Sequence, residues 1–244
     1  MKRPEMLLFD YGETLLHSTG FDALRGTRAV LQYAEENPEN VSAEEVQVEA
    51  DRINRELGRG EPAKRHLAQI EVHTHLFQQY LYTSFGIRLR LSNEETERVF
   101  WDAAEPVEPT AGIQEFLRFL QDTGIRAGVV SNLSCSGNAL RERLHRFFPE
   151  TEFAFVIASS EYVFRKPNPR IFRLALRMAG LPPEKVWYCG DDWNCDIAGA
   201  AQVGIQPVWY TKYLESSEVG RLDCPVIQIE NWIELQRILE NTMK

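Results

Sequence analysis

Five short apolar runs punctuate the chain, at 6–10 (MLLFD), 127–132, 153–159, 185–191 and 207–211. None shows the strict polar alternation of a half-solvated strand. The pattern therefore predicts buried strands of a parallel sheet, covered on both faces. Between them lie helical patterns with clear punctuation. The segment from Ile113 stops at Gly124, Asn168-Pro169 opens a helix that Gly180 closes, and the helix after Asp191 stops at Gly204. These are an N-cap residue, proline at the first helical position, and glycine just past the last turn. Strands alternating with helices imply an α/β fold, a Rossmann-like doubly wound parallel sheet.

The stretch from 17 to 107 breaks this rhythm, with little strand signal and helices expected near 22–36, 43–57, 65–84 and 93–103. Ser42-Ala-Glu-Glu45 and Ser92-Asn-Glu-Glu95 have the spacing of capping boxes. Glu105-Pro-Val-Glu-Pro-Thr110 reads as a return linker. The expected organisation is a core built from 1–16 and 108–244 with a helical domain at 17–107 inserted after the first strand. The insert carries 16 acidic and 10 basic residues, the remainder 20 and 17. Most of the acidity thus belongs to the insert, as solvated helix surface.

Composition narrows the function classes. At 244 residues, 43% hydrophobic and a net charge of -9, the chain is globular and acidic, which disfavours non-specific binding to nucleic acid. No apolar run reaches the roughly 20 residues that span a bilayer, and the N-terminal run is too short for a signal peptide. A cytoplasmic protein is expected. Four cysteines without a CxxC pair argue against a zinc site, and a structural disulfide is not expected.

Ligands of open α/β sheets bind beyond the carboxyl ends of the strands. Asp10 ends the first predicted strand, Ser131-Asn132 the next core strand, and Gly190-Asp191-Asp192 a later one, with Asp196 five residues past Asp191 and Lys166 just before a helix. Each alone is a common turn or cap residue. In this order they resemble the haloacid dehalogenase (HAD) superfamily. Phe9-Asp-Tyr-Gly-Glu-Thr-Leu15 is similar to its first motif, Val129-Val-Ser-Asn132 to the second, Lys166-Pro-Asn-Pro to the third, and the segment from Gly190 through Asp196 to Ala200 to the fourth. The helical insert between the first two motifs resembles the C1 cap of subfamily I.

The resemblance implies a Mg²⁺-dependent hydrolase, most simply a phosphatase acting on a small phosphorylated metabolite. Asp10 would be the nucleophile, forming an aspartyl-phosphate. Asp10, Asp191 and the Gly12 carbonyl would be the Mg²⁺ ligands, a hard-oxygen set. Ser131, Asn132 and Lys166 would bind and polarise the phosphoryl group, with Tyr11 and Gly12 lining the substrate site. Thr14, Asp192 and Asp196 would support these groups from behind.

One position departs from the family pattern. Its phosphatases usually carry an acid/base Asp two residues after the nucleophile, where this chain has Gly12. Such a group typically contributes about 10²–10⁴ in rate. Two alternatives follow: C–P or C–halogen hydrolysis using a group from the insert, and a catalytically weak phosphate-binding or interaction module. Glu13 and His17 are near in sequence, Glu13 at the wrong offset. Lys64, the lysine of the insert, could form a Schiff base, but its polar setting does not favour the depressed pKa that role needs. His73 and His75, two apart on an expected helix, should point in different directions and make no metal pair. Phe77, Tyr80, Tyr82, Phe85 and Trp101 are expected to pack between helices of the insert, and the apolar stripe of 231–239 to pack on the core. Substrate identity and oligomeric state are not legible.

Overall fold

The protein is described from a computed structural model covering residues 2–58, 70–213 and 220–242. The chain begins with β1 (Met6–Phe9) and β2 (Leu16–Ser18), then enters the insert: α1 (Ala23–Leu31), β3 (Ala34–Glu36), α2 (Ala43–Glu56), α3 (Thr74–Ser84), β4 (Arg88–Leu89) and α4 (Asn93–Ala104). It returns through β5 (Val107–Pro109) to α5 (Ile113–Asp122), β6 (Arg126–Ser131), α6 (Gly137–Phe147), β7 (Phe153–Ala158), α7 (Ser159–Tyr162) and α8 (Pro169–Ala179). Then come β8 (Val186–Gly190), a π-helical turn (Trp193–Ala198) running into α9 (Gly199–Ala201), β9 (Gln206–Tyr210), β10 (Ile227–Ile229) and α10 (Trp232–Thr242).

Six strands form one parallel sheet in the order β10-β9-β8-β1-β6-β7. β1 is central because all four of its residues are apolar and fully buried. Alternate side chains point to opposite faces. Leu7, Phe9, Val129, Trp187 and Cys189 meet α5 and α10 on one face. Met6, Leu8, Val130, Val186 and Tyr188 meet α8 on the other. Both faces are covered, as the unbroken apolar runs require. The apolar stripe of α10 lies on the core: Trp232 stacks on Phe116 and Tyr210, and its Nε1–H donates to Thr110 Oγ1 at 3.0 Å.

The insert has its own apolar cluster, built around Val30, Val46, Leu81, Tyr82 and Ile87. Ser42 and Ser92 both close capping boxes with Glu45 and Glu95, which fixes the starts of α2 and α4. α1 crosses α4 at Gly26, where a Cβ would lie 2.7 Å from Phe100 and 2.9 Å from the Ala104 side chain. Tyr82 is buried in the apolar cluster and Phe77 and Phe85 half-buried, whereas Tyr80 is exposed and Trp101 packs against the core instead of between helices of the insert.

Two expectations need correction. The helix expected over 22–36 stops at Leu31, and 34–36 pairs antiparallel with β4 instead. The helix expected over 65–84 starts only at Thr74, since His73 caps it and 70–73 is extended; residues 59–69 lie outside the described residues. The chain enters and leaves the insert side by side, as β2 pairs antiparallel with β5 (Leu16 with Pro109, His17 with Glu108, Ser18 with Val107). Strands of two or three residues are too short to leave a periodic signal.

The insert meets the core along α4 and α6. Arg98 pairs with Glu142 at 3.0 Å, Arg146 with Asp102 at 3.1 Å, and the Arg143 guanidinium lies 4.2 Å over the Trp101 ring.

Candidate active site

The carboxyl ends of β1, β6 and β8 lie side by side, and the loops leaving them converge. Asp10 follows β1, and its backbone N–H donates to the Cys189 carbonyl of β8 at 2.9 Å. Lys166 lies just before α8 with its side chain 1% exposed. Its Nζ is 2.8 Å from Asp10 Oδ1 and 2.6 Å from Asp196 Oδ1, and it donates to the Tyr188 hydroxyl at 2.8 Å. An isolated ammonium this deeply buried would lose its proton. Burial does pull the Lys166 pKa down, but Asp10 and Asp196 outweigh it and hold the pKa above the ordinary lysine value. The lysine is therefore a fixed positive charge beside Asp10.

Asp196 is fully buried, and the geometry gives it a definite task. One oxygen holds Lys166; the other accepts the Asp192 N–H at 3.1 Å. Burial raises its pKa to about 7 against the opposing pull of Lys166. Gly190 is what lets Asp196 approach: a Cβ there would lie 2.3 Å from Asp196 Oδ2. Asp191 also has a raised pKa, first from burial and then from the charges of Asp196 and Asp10.

The remaining candidates divide clearly. Ser131 is buried at the end of β6. The Asn132 side chain is taken up by backbone: its Oδ1 accepts the Lys166 N–H at 2.7 Å and its Nδ2 donates to the Lys166 carbonyl at 2.9 Å. It thus staples the loop after β6 to the loop before α8. Thr14 is buried, with Oγ1 3.5 Å from Asp191 Oδ1, while its carbonyl accepts from Thr110 Oγ1 at 2.8 Å. Asp192 caps the following helical turn, accepting from the N–H groups of Asn194 and Cys195, both at 2.8 Å. The Tyr11 ring packs 5.7 Å from Trp101 and is buried, so its side chain takes part in the contact between insert and core.

Of the groups considered for the role absent at Gly12, Lys64 lies outside the described residues. Glu13 and His17 are engaged with each other: His17 Nδ1 is 2.5 Å from Glu13 Oε2, and the His17 ring stacks on Tyr213 at 4.1 Å. His73 and His75 do not diverge as expected, because His73 caps α3 rather than lying in it; their rings are 4.3 Å apart. Together with Glu97 they bring ligating atoms within 4.8 Å of one another. Three hydrogen bonds argue against a metal there. His73 Nδ1 accepts the His75 N–H at 3.1 Å, and the fully buried Glu97 carboxylate accepts from Ser136 N at 2.8 Å and Oγ at 2.6 Å, capping α6.

Sequence reasoning missed Tyr188 and Glu71. Tyr188 lies inside a strand and reads as core, yet its hydroxyl supports Lys166. Glu71 reads as one more acidic residue of the insert, yet its carboxylate is buried against the core.

Asp10, Asp191 and Asp196 place carboxylate oxygens within 4.8 Å of one another. Asp196 is committed to Lys166, and Asp10 Oδ1 is buried without a well-aligned hydrogen bond. Asp10 and Asp191 are thus hard oxygen donors crowded by like charge, the donor set a divalent cation satisfies.

Residues 5–204 match the model of the haloacid dehalogenase-like hydrolase family, and the protein belongs to that family of hydrolases. Over 126 residues it is 34% identical to the glyceraldehyde 3-phosphate phosphatase of Methanothermobacter thermautotrophicus, covering 49% of this chain and 54% of that one. The human haloacid dehalogenase-like hydrolase domain-containing protein 3 is 32% identical over 117 residues, 45% of this chain and 43% of that protein. The chain thus aligns with about half the length of these curated relatives. Two solved structures share the fold across nearly the whole chain. A 2-haloacid dehalogenase from Pseudomonas syringae pv. Tomato has a TM-score of 0.65 at 22% identity, covering 99% of both chains. A HAD phosphatase from Thermococcus onnurineus has a TM-score of 0.62 at 22% identity, covering 98% of both chains.

Proposed function

We propose that this hydrolase is a Mg²⁺-dependent phosphatase of small phosphate monoesters, acting through an aspartyl-phosphate at Asp10. The observation that carries the reading is Asp10 held 2.8 Å from a fully buried Lys166, whose charge Asp10 and Asp196 together maintain. A carboxylate beside a permanent cation suits attack on an anionic phosphoryl group, because the lysine offsets the repulsion between the two. Relatives named as phosphatases of glyceraldehyde 3-phosphate and of phosphoserine support a small phosphorylated metabolite as substrate.

In the first step an Asp10 oxygen attacks phosphorus. The Asp10 O–P bond forms as the ester P–O bond breaks, and the departing alkoxide takes a proton from water. In the second, water attacks the phosphorus, releasing inorganic phosphate and freeing Asp10. Lys166 and the Ser131 hydroxyl serve the phosphoryl oxygens throughout. Asn132 keeps the two phosphate-binding loops together, and Asp196 keeps Lys166 aimed. Asp10, Asp191 and the Gly12 carbonyl would hold Mg²⁺, which when bound neutralises phosphate charge. Gly12 supplies no proton, so the first step depends on a good leaving group or on the solvent.

The test is steady-state hydrolysis of p-nitrophenyl phosphate, whose leaving group needs little protonation. Turnover is expected with Mg²⁺, and its loss with EDTA. Asp10→Asn is expected to abolish it while melting like the wild type. Turnover retained by a folded Asp10→Asn protein would overturn the mechanism.

A further inference from the structure

One buried carboxylate of the insert, Glu71, bridges the loops after β6 and before α8. Segment 70–73 runs extended along the core into α3: Ile70 pairs with Phe164, Glu71 N donates to the Val163 carbonyl at 2.7 Å, and the N–H of Thr74, the first residue of α3, donates to the Ser134 carbonyl at 2.8 Å. The Glu71 side chain is fully buried, although it belongs to the acidic insert. Its Oε2 is ion-paired to Arg165 and accepts from Ser159 Oγ at 3.0 Å. The same Ser159 hydroxyl oxygen accepts the Leu133 N–H at 2.9 Å. Arg165 immediately precedes Lys166, and Leu133 immediately follows Asn132. Glu71 therefore ends, through two short chains of bonds, on the neighbours of the two residues that Asn132 staples together.

We propose that Glu71 is a positioning residue that couples docking of the insert to the geometry of the phosphate-binding loops. The proposal rests on the phosphatase reading for its kinetic consequence, though not for its structural one. Three features favour it over a merely stabilising contact. The carboxylate contributes to two loops at once. Both loops lead directly to groups that face the reacting phosphoryl. Arg165 is only 16% exposed, so Glu71 offsets a charge that the core alone leaves buried. Substrate capture between insert and core would then be linked to Lys166 being in place. Displacement of a reacting group by an ångström costs on the order of 10² in rate, so even a small relaxation of these loops should be visible.

The experiment compares wild type, Glu71→Gln, and Glu71→Gln combined with Arg165→Met. Glutamine keeps the contact to Ser159 but removes the charge opposite Arg165. The double variant removes the stranded charge as well. With p-nitrophenyl phosphate and Mg²⁺, the expected result for Glu71→Gln is a fall in kcat of about 10- to 100-fold with KM changed little, the mark of a lost transition-state arrangement. The double variant should recover its melting temperature but not its kcat. Recovery of both would show a purely structural role and overturn the proposal. Backbone amide exchange at Leu133 and Lys166, measured without substrate, separates this idea from the phosphatase reading. If the wild type turns over no phosphate ester, that reading fails, and exchange alone decides the coupling. Faster exchange at both sites in Glu71→Gln upholds it, and unchanged exchange overturns it.

Discussion

At Gly12 the side chain is absent but the space for it is not. A Cβ built there meets nothing within 4 Å. Restoring the carboxylate therefore asks nothing of the surrounding backbone, and Gly12→Asp is expected to fold normally. It should raise kcat/KM for alkyl phosphates by about 10-fold or more, toward the 10²–10⁴ usual for a general acid. p-Nitrophenyl phosphate should gain far less. Comparing the two substrates is the check, because an equal effect on both would mean that proton transfer is not what Gly12 withholds. The same scale explains why the fourth motif needs glycine at 190. Asp196 can reach both Lys166 and the Asp192 N–H only where no side chain intervenes.

At the scale of elements, the tightest constraint in the insert is the α1–α4 crossing. Gly26 there faces Phe100 and Ala104 at distances no Cβ tolerates. Gly26→Val should force the helices apart and cost about 1–3 kcal/mol, as overpacked sites do. Chemical denaturation followed by far-ultraviolet circular dichroism would report it, and an unchanged midpoint would contradict the packing described. The long elements were largely legible in sequence because their signals are physical. Apolar runs of five to seven residues mark the buried strands, and Ser42, Ser92, Asn168 and Gly180 mark helix ends by satisfying backbone groups. What stayed hidden was set by tertiary contact. The strand pairs at the insert boundary have too few residues to show a period. His73 caps α3 because residues 70–73 are tied to the core. The candidate site followed the same rule. Asp10, Lys166 and Asp191 stand at strand or helix ends that the sequence announces. Tyr188 and Glu71 owe their places to packing between distant segments, and nothing in their local sequence marks them.

At the scale of the whole molecule, the crowded carboxylates come from segments some 180 residues apart in the chain. A cation held between Asp10 and Asp191 would tie β1 to β8 and stabilise the folded state by mass action. Mg²⁺ is therefore expected to raise the melting temperature. The sign of its pH dependence follows from Asp191. Its folded pKa is raised by burial and by its like-charged neighbours. As pH falls toward that raised value the carboxyl keeps its proton, and the cation must displace it. The Mg²⁺-induced rise should thus shrink on acidification and grow toward alkaline pH, which a thermal melt series with and without EDTA would show. A shift equal at every pH would remove Asp191 from the ligand set.

The pairing of β2 with β5 has a further consequence. Because the outgoing and returning chains run antiparallel at Ser18 and Val107, the insert is a cassette with adjacent ends. Joining those ends by a tight turn would leave every strand of the central sheet in register. The excised protein would expose Tyr11, leave the α6 N-terminus without Glu97 and leave Arg165 without Glu71. A different insert spliced at the same two positions would leave Asp10, Lys166 and Asp191 where they stand, provided it brought a carboxylate to meet Arg165.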